Sequence, residues 1–208
     1  RLLKFLLWSR GGHRVYFDGP LELGEALRSH FKDTVTGRFD ADFMATVYRR
    51  PFEVLLTKDL ASEQNAARQL GRHLDGCRIG FDLGGSDRKV AAVVDGEVVF
   101  SEETAWDPYY EKDPSYHREG VIDSLNKAAS HLSEVEAIGG SSAGVYVDNQ
   151  PRVASLFRGV SEELFDSEVK SMFRNLAKEW KVPFEVINDG DVTALAGSMS
   201  LGENAVLG

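Results

Sequence analysis

The sequence predicts an α/β protein in which helices flank a mixed sheet, preceded by a separate N-terminal α/β segment. From residue 78 onward, strand and helix patterns follow one another in the order β-β-β-α-β-α-β-α. The charge also divides the chain. Residues 1–76 carry 12 basic and 10 acidic side chains, a sum of +2, whereas residues 77–208 carry 12 and 23, a sum of −11. We therefore predict an accessory segment at 1–76 and a main domain at 77–203. Residues 204–208 are expected to begin a further domain of a longer protein.

The composition excludes several classes of function. With 42% hydrophobic and 27% charged residues, the 208-residue chain is typical of a globular protein with a real core. A net charge of −9 disfavours general binding to nucleic acid or to an anionic membrane, so neither is expected as a partner. Cys77 is the single cysteine, which rules out an internal disulfide and a cysteine zinc cluster and fits a cytoplasmic location. The five histidines show no metal-ligand spacing.

The N-terminal segment contains two strand patterns, at 15–17 and 52–56, and two helix patterns, at 21–31 and 60–74. In the main domain the expected strands are 78–83, 89–94 and 97–102, with Asp95-Gly96 as the hairpin turn between the last two. A helix follows Asp113-Pro114, and a strand lies within 136–147. Ser161 is expected to cap one long helix that stops at Pro183. A strand at 184–187 and a helix at 191–200 follow.

The turn after the first main-domain strand has the residues of a phosphate-binding turn. Asp82 ends the strand, Gly84 and Gly85 follow, and Ser86 adds a hydroxyl. Glycines let backbone N–H groups approach phosphate oxygens without a Cβ in the way. The carboxylate of Asp82 suits Mg²⁺, directly or through water. An ordinary β-turn with a solvated aspartate explains the same residues about equally well.

A second polar turn follows the strand at 184–187. Asn188 and Asp189 end this strand and a helix comes next, so Asp189 is placed to accept a proton from a substrate hydroxyl and Asn188 to hydrogen-bond another hydroxyl. The alternative is that these side chains only cap the helix. We expect Asp191 to be the cap, which leaves Asp189 free.

A third candidate, a loop at 140–144, offers small side chains and two hydroxyls, on Ser141 and Ser142, with Gly144 at its end. A polyol needs such dense, short-range hydrogen bonding, although a plain Gly/Ser loop is an equal alternative. The segments 106–110 and 155–159 are candidates for an aromatic rim of the site.

Taken together, the D-L-G-G-S turn, the Gly/Ser loop and the I-N-D turn, in this order, resemble the N-terminal half of the actin/hexokinase/Hsp70 superfamily. The ROK and glucokinase sugar kinases are the most similar group. The resemblance covers residues 78–208. It implies an RNase H-like (actin-like ATPase) fold and phosphoryl transfer from Mg·ATP to a sugar, with ATP and Mg²⁺ as the cofactors. Two departures are that Ala143-Gly144 replaces the usual Pro-Gly, and that Asp87-Arg88 follows Ser86 where Thr-Lys is common.

The resemblance assigns the roles as follows. Asp82, Gly84, Gly85 and Ser86 cradle the phosphates and Mg²⁺, Asp189 is the general base, and Asn188 contacts the sugar. Ser141, Ser142 and Gly144 remain candidates for further sugar contacts, and a homodimer is left open. Because some ROK relatives carry an N-terminal DNA-binding module, a sugar-responsive regulator or a non-catalytic relative is the alternative. The sum of +2 over residues 1–76, and the lack of a basic recognition helix in the pattern, speak against DNA binding.

Overall fold

The computed structural model describes residues 1–58 and 73–201. The chain divides into two compact units, Arg1–Arg68 and Gln69–Gly208. The helix expected at 60–74 lies almost wholly outside the described residues, and the strand expected at 204–208 lies entirely outside them. Among the described residues, no helix has the length and apolar character needed to cross a membrane.

The first unit is a small α/β arrangement. Its two strands pair in parallel, so the two helices between them form the connection from one strand to the other. The elements are α1 (Leu2–Arg10), β1 (Arg14–Phe17), α2 (Leu21–Asp33), α3 (Val35–Tyr48) and β2 (Glu53–Leu56). The sequence predicted β1, α2 and β2, but it did not predict α1 or α3.

A buried carboxylate explains why these two helices were missed. Asp40 of α3 is fully buried and accepts hydrogen bonds from Lys4 Nζ at 2.8 Å and Trp8 Nε1 at 2.9 Å, both on α1. A charged side chain at a core-facing position breaks the apolar helical pattern. Since a buried carboxylate is stable only when it is paired, these contacts hold α1 against α3.

The described residues of the second unit form a five-stranded mixed sheet in the order β5-β4-β3-β6-β9. The pairs β3–β4 and β4–β5 are antiparallel, whereas β3, β6 and β9 run parallel. This confirms the expected fold class, a mixed sheet flanked by helices. The elements are β3 (Cys77–Leu83), β4 (Asp87–Val94), β5 (Glu97–Ala105), α4 (Pro114–Ala129), β6 (Ala137–Ser142), β7 (Val145–Val147), β8 (Gln150–Val153), α5 (Glu162–Ser167), α6 (Met172–Trp180), β9 (Phe184–Asn188) and α7 (Asp189–Leu201).

The main core lies on one face of this sheet, beneath α4 and α6. Alternate residues of β3 are buried there, namely Ile79, Phe81 and Leu83, and they pack with Leu125 of α4 and Phe173 of α6. Because successive side chains of a strand point to opposite faces, the polar residue between Phe81 and Leu83 projects from the other face. The core thus determines which face carries the Asp82 carboxylate.

The structure differs from the expected order in two places. The single helix expected from Ser161 is two helices, α5 and α6, separated by a 3₁₀ turn at Val169–Ser171. The hairpin β7–β8 was not predicted. Its turn residues Asp148 and Asn149 have φ values of 51° and 57°, as a type I′ turn requires, but the sequence lacks the glycine that usually signals such a turn.

Candidate active site

The ends of three parallel strands bring the predicted turns to one edge of the sheet. Asp82 of β3 pairs with Ser141 of β6, which pairs with Ile187 of β9. Neighbouring strands lie about 4.8 Å apart, so β3 and β9 are roughly 10 Å apart here. The Gly84–Ser86 turn and Asp189 therefore lie at the same edge, with the end of β6 between them.

The turn between β3 and β4 has a fixed backbone with two open donors. Gly84 N donates to Asp87 O at 2.9 Å, and Trp106 donates from Nε1 to Gly84 O at 2.8 Å and from its amide to Ser86 O at 3.0 Å. Within residues 1–58 and 73–201, the N–H groups of Gly85 and Ser86 have no acceptor. Two adjacent open amides in a fixed turn can bind an anion.

The carboxylates around this turn have different partners. Asp82 is half-buried, and its Oδ1 accepts a hydrogen bond from Ser141 Oγ. Asp87 accepts from Ser86 Oγ at 2.8 Å and pairs with Lys89. The hydrogen bond from Lys89, helped by that from Ser86, lowers the pKa of Asp87, and Asp87 raises the pKa of Lys89. Within the described part of the chain Asp82 forms no salt bridge, although it lies opposite Lys89 in the sheet register and its charge helps to raise the pKa of Lys89.

The second turn is built by Asn188 rather than by Asp191. The helix α7 begins at Asp189, and Gly190 N donates to Asn188 Oδ1 at 2.8 Å, so Asn188 is the capping residue. The expectation that Asp191 caps the helix is therefore wrong. Asp191 lies within the first turn of α7 and is exposed. Asp189 is also exposed, and among the described residues its Oδ1 accepts a single hydrogen bond, from the N–H of Gly190 at 3.0 Å.

The expected sugar loop is largely part of a strand. Ser141 and Ser142 belong to β6 and are buried, which corrects their placement in a loop. Ser142 Oγ makes a long hydrogen bond of 3.5 Å to Leu83 O. Gly144 follows the strand with a φ of 137°, and a Cβ there would lie 2.5 Å from Val153 O. Its carbonyl oxygen accepts from Asn188 Nδ2 at 2.7 Å, which ties this position to the start of α7.

Tyr146 is a residue near the site that the sequence did not single out. It lies on β7 against Phe173, and its buried hydroxyl has no hydrogen-bond partner among the described residues. Burial raises the pKa of Tyr146 to about 12, and the negative charge of Asp189 adds to this effect, whereas the nearby Ser142 opposes it. A lone tyrosine in a short strand gives no sequence signal for such a position.

The two segments expected to form a rim are joined by a buried histidine. His117 of α4 is fully buried, and its Nε2 lies 3.1 Å from both Pro108 O and Leu156 O. The proton is therefore on Nε2, which donates to both carbonyl groups. Gly159 also packs closely, since a Cβ there would lie 2.5 Å from Glu111 O. The segments 106–110 and 155–159 thus form one assembly beside the Gly84–Ser86 turn.

A cavity of about 840 Å³ lies on the sheet face opposite the main core. Its lining includes Asp82, Lys89 and Ser141 on the sheet and Leu195 of α7, but neither Asp189 nor the Gly84–Ser86 turn. The cavity therefore adjoins the candidate site rather than containing it.

No protein-family model and no curated protein matches the sequence. Several solved structures resemble part of it. The inorganic polyphosphate/ATP-glucomannokinase from Arthrobacter sp. strain KM is 19% identical, with a TM-score of 0.47, over 60% of this chain and 48% of that one. The ROK hexokinase from Thermus thermophilus is 16% identical, with a TM-score of 0.44, over 59% and 37%. A ROK family transcriptional regulator, a homologue of the E. coli MLC protein, is 18% identical, with a TM-score of 0.44, over 80% and 36%. The chain thus spans less than half the length of these proteins.

Proposed function

We propose that this chain is part of an ATP-dependent sugar kinase that transfers the terminal phosphoryl group of Mg·ATP to a sugar hydroxyl. One observation carries the proposal: an open, fixed Gly84–Ser86 turn and an exposed Asp189 lie at the same edge of one sheet, about two strand spacings apart. A phosphate bound at the turn and a hydroxyl beside Asp189 would be held on neighbouring sites. Such positioning supplies much of the rate of phosphoryl transfer.

On the donor side, the amides of Gly85 and Ser86 bind phosphate oxygens, and Gly84 leaves space for their approach. Asp82 is the residue that fits Mg²⁺, because its carboxylate forms no salt bridge among the described residues and magnesium prefers oxygen ligands. The described residues contain no group of three or more potential metal ligands, so a magnesium ion would take most of its other ligands from phosphate and water. The ion supplies charge neutralisation on the phosphates.

On the acceptor side, Asp189 takes the proton of the attacking sugar hydroxyl. The sugar contacts are assigned to Asn188, Ser141, Ser142 and Gly144. Because Ser141 Oγ already donates to Asp82, it would offer a lone pair rather than a proton to a sugar hydroxyl group. Ser142 is fully buried and donates to Leu83 O, so it would act by holding the end of β6 in place rather than by direct contact. Asn188 keeps Asp189 in place through its bonds to Gly144 O and Gly190 N.

The decisive variant is Asp189→Asn, with Asp191→Asn, two residues further along the first turn of α7, as the matched control. The amide keeps the shape of the side chain but cannot accept a proton, so sugar-dependent ATP turnover should fall about 10²- to 10⁴-fold. Asp191→Asn should change turnover little, and Asp82→Asn should mainly raise the KM for Mg·ATP. The assay uses the longest natural chain that contains these residues, with a panel of hexoses and amino-hexoses. If Asp191→Asn strongly reduced turnover and Asp189→Asn left it nearly unchanged, Asp191 rather than Asp189 would be the general base.

The alternative is a sugar-responsive regulator or a non-catalytic relative with the same fold. The observation in its favour is the separate first unit, in which α2 and α3 are two consecutive helices joined by Thr34 alone. Sugar binding measured by calorimetry, together with no ATP turnover by the wild type on any sugar of the panel, would favour this alternative over the kinase.

A further inference from the structure

The aromatic side chain of Tyr109 lies directly against the Gly84–Ser86 turn. A Cβ on Gly85 would lie 2.0 Å from the hydroxyl oxygen of Tyr109 and 2.2 Å from its Cζ. Gly85 is therefore required for this contact, because any side chain would displace the ring. The hydroxyl end of Tyr109 thus adjoins the open amides of Gly85 and Ser86.

A guanidinium group lies over the same ring. The Cζ of Arg158 is 3.8 Å from the centroid of Tyr109, within the range of a cation–π contact. The Nε of Arg158 donates to Ser155 O at 3.2 Å, and the two terminal nitrogens have no acceptor among the described residues.

Three other arginines of this unit are held in ion pairs. Arg78, Arg88 and Arg118 each pair with a carboxylate, whereas Arg158 has no acidic partner within residues 1–58 and 73–201. Arg88, two residues after the turn, points to α4 and donates to the carboxylate of Asp123. Arg88 is thus directed away from the turn, whereas Arg158 lies beside the turn and has no acidic partner in the part of the chain that the structure describes.

The position of Arg158 is fixed by buried contacts rather than by its own exposed side chain. His117 Nε2 donates to the carbonyl oxygen of Pro108, the residue before Tyr109. It also donates to that of Leu156, two residues before Arg158. A guanidinium group stacked on a ring that is held in this way loses little further conformational freedom when it binds an anion. An unpaired, pre-positioned cation of this kind is suited to a phosphate.

We propose that Arg158, held on the ring of Tyr109, forms an anion subsite that contacts the terminal phosphoryl group bound at the Gly85 and Ser86 amides. The inference rests on the proposed function in that it takes this turn to bind phosphate. It adds a positive charge to an edge that carries the carboxylates of Asp82 and Asp189 and, beside the turn, the Asp87–Lys89 ion pair. Arg158 would therefore stabilise the charge on the phosphoryl group as it leaves the donor.

The test measures binding of inorganic pyrophosphate to the longest natural chain that contains these residues, by calorimetry in the absence of sugar. Arg158→Gln should weaken binding about 10- to 100-fold, since it removes charge-assisted hydrogen bonds. Arg118→Gln is the matched control, because it removes the same charge from an exposed arginine that pairs with Glu179 elsewhere on the unit. Tyr109→Leu, which removes the stacking surface and keeps the guanidinium, should weaken binding by a smaller factor.

The subsite is overturned if Arg158→Gln binds pyrophosphate like the wild type, if Arg118→Gln weakens binding equally, or if the wild type does not bind at millimolar concentration. Circular dichroism of each variant verifies that the fold is kept. The proposed function fails separately: selective loss in Arg158→Gln without sugar-dependent turnover by the wild type would keep the anion subsite and reject the kinase. Turnover that depends on Asp189 but not on Arg158 would keep the kinase and reject the subsite.

Discussion

Asp82 and Asp189 carry the same functional group in different surroundings. Asp82 is half-buried and accepts from Ser141 Oγ, whereas Asp189 is exposed at the first position of α7. An exposed carboxylate keeps room for a substrate hydroxyl, and a half-buried one has a fixed orientation that suits a metal ion and its waters. Asn188 caps α7, so the Asp189 side chain is not needed as the cap and is available for its proposed role as general base.

Tyr146 gives a pH-dependent prediction at the same scale. Its folded pKa of about 12 lies above the ordinary value of 10.0, so the folded state holds this proton more tightly than the unfolded state. The stability that this provides is fully present below pH 10 and is lost as the pH rises through about 12, by about 3 kcal/mol at most. Tyr146→Phe has no such proton. Denaturant unfolding between pH 9 and 12 should therefore show a steeper loss of stability for the wild type than for the variant.

At pH 7 the same substitution should cost little. The hydroxyl of Tyr146 has no hydrogen-bond partner among the described residues, so its removal leaves no acceptor or donor newly unpaired. Parallel curves for wild type and Tyr146→Phe over the alkaline range would contradict the burial of this phenol.

At the scale of elements, the connection from β6 to the β7–β8 hairpin depends on one backbone conformation. Gly144→Ala should destabilise the fold by about 1–3 kcal/mol or more, because its φ of 137° is unfavourable for a side chain and the new Cβ would meet Val153 O. Gly139→Ala, on the strand β6 that precedes Gly144, is the matched control. A Cβ there has nothing within 4 Å, so the substitution should be neutral or slightly stabilising.

Thermal or urea unfolding of both variants measures the difference. Equal stability of Gly144→Ala and Gly139→Ala would show that the hairpin adjusts freely. A loss confined to Gly144→Ala, accompanied by weaker sugar-dependent turnover, is the expected result because Gly144 O is bonded to Asn188.

The sequence predicted the strands of the central sheet because each of them is a short apolar run that ends at glycine or polar residues. Once these strands were placed, the common edge for Asp82 and Asp189 followed from the rule for parallel strands. The contact of Tyr109 with Arg158 could not be predicted in the same way, because it joins two loops far apart in sequence. The sequence also could not show which residue caps α7, because asparagine and aspartate are both common caps and the positions 188, 189 and 191 all carry one of them.

At the scale of the whole molecule, the first unit is proposed to be an accessory element that does not bind nucleic acid. Its near-neutral charge provides little attraction for a phosphate backbone. We expect no binding of a fluorescent duplex library, drawn from the surrounding genome, at about 150 mM salt. Duplex binding that is lost when residues 1–76 are deleted would contradict this and favour the regulator. We also propose that the protein does not bind membranes, which flotation with anionic vesicles would test. A homodimeric assembly is a further proposal, which analytical sedimentation would test.

Among the described strands β9 lies at the edge of the sheet, where its outer side would otherwise present unpaired backbone groups. Asn149, in the turn of the β7–β8 hairpin, donates from Nδ2 to Phe184 O at 2.7 Å and accepts from Val186 N at 2.7 Å with Oδ1. One side-chain amide thus makes the two bonds that a further strand would make. Exposed strand edges are templates for intermolecular pairing. The hairpin turn therefore protects the protein against edge-to-edge aggregation, next to the strand that delivers Asp189 to the surface.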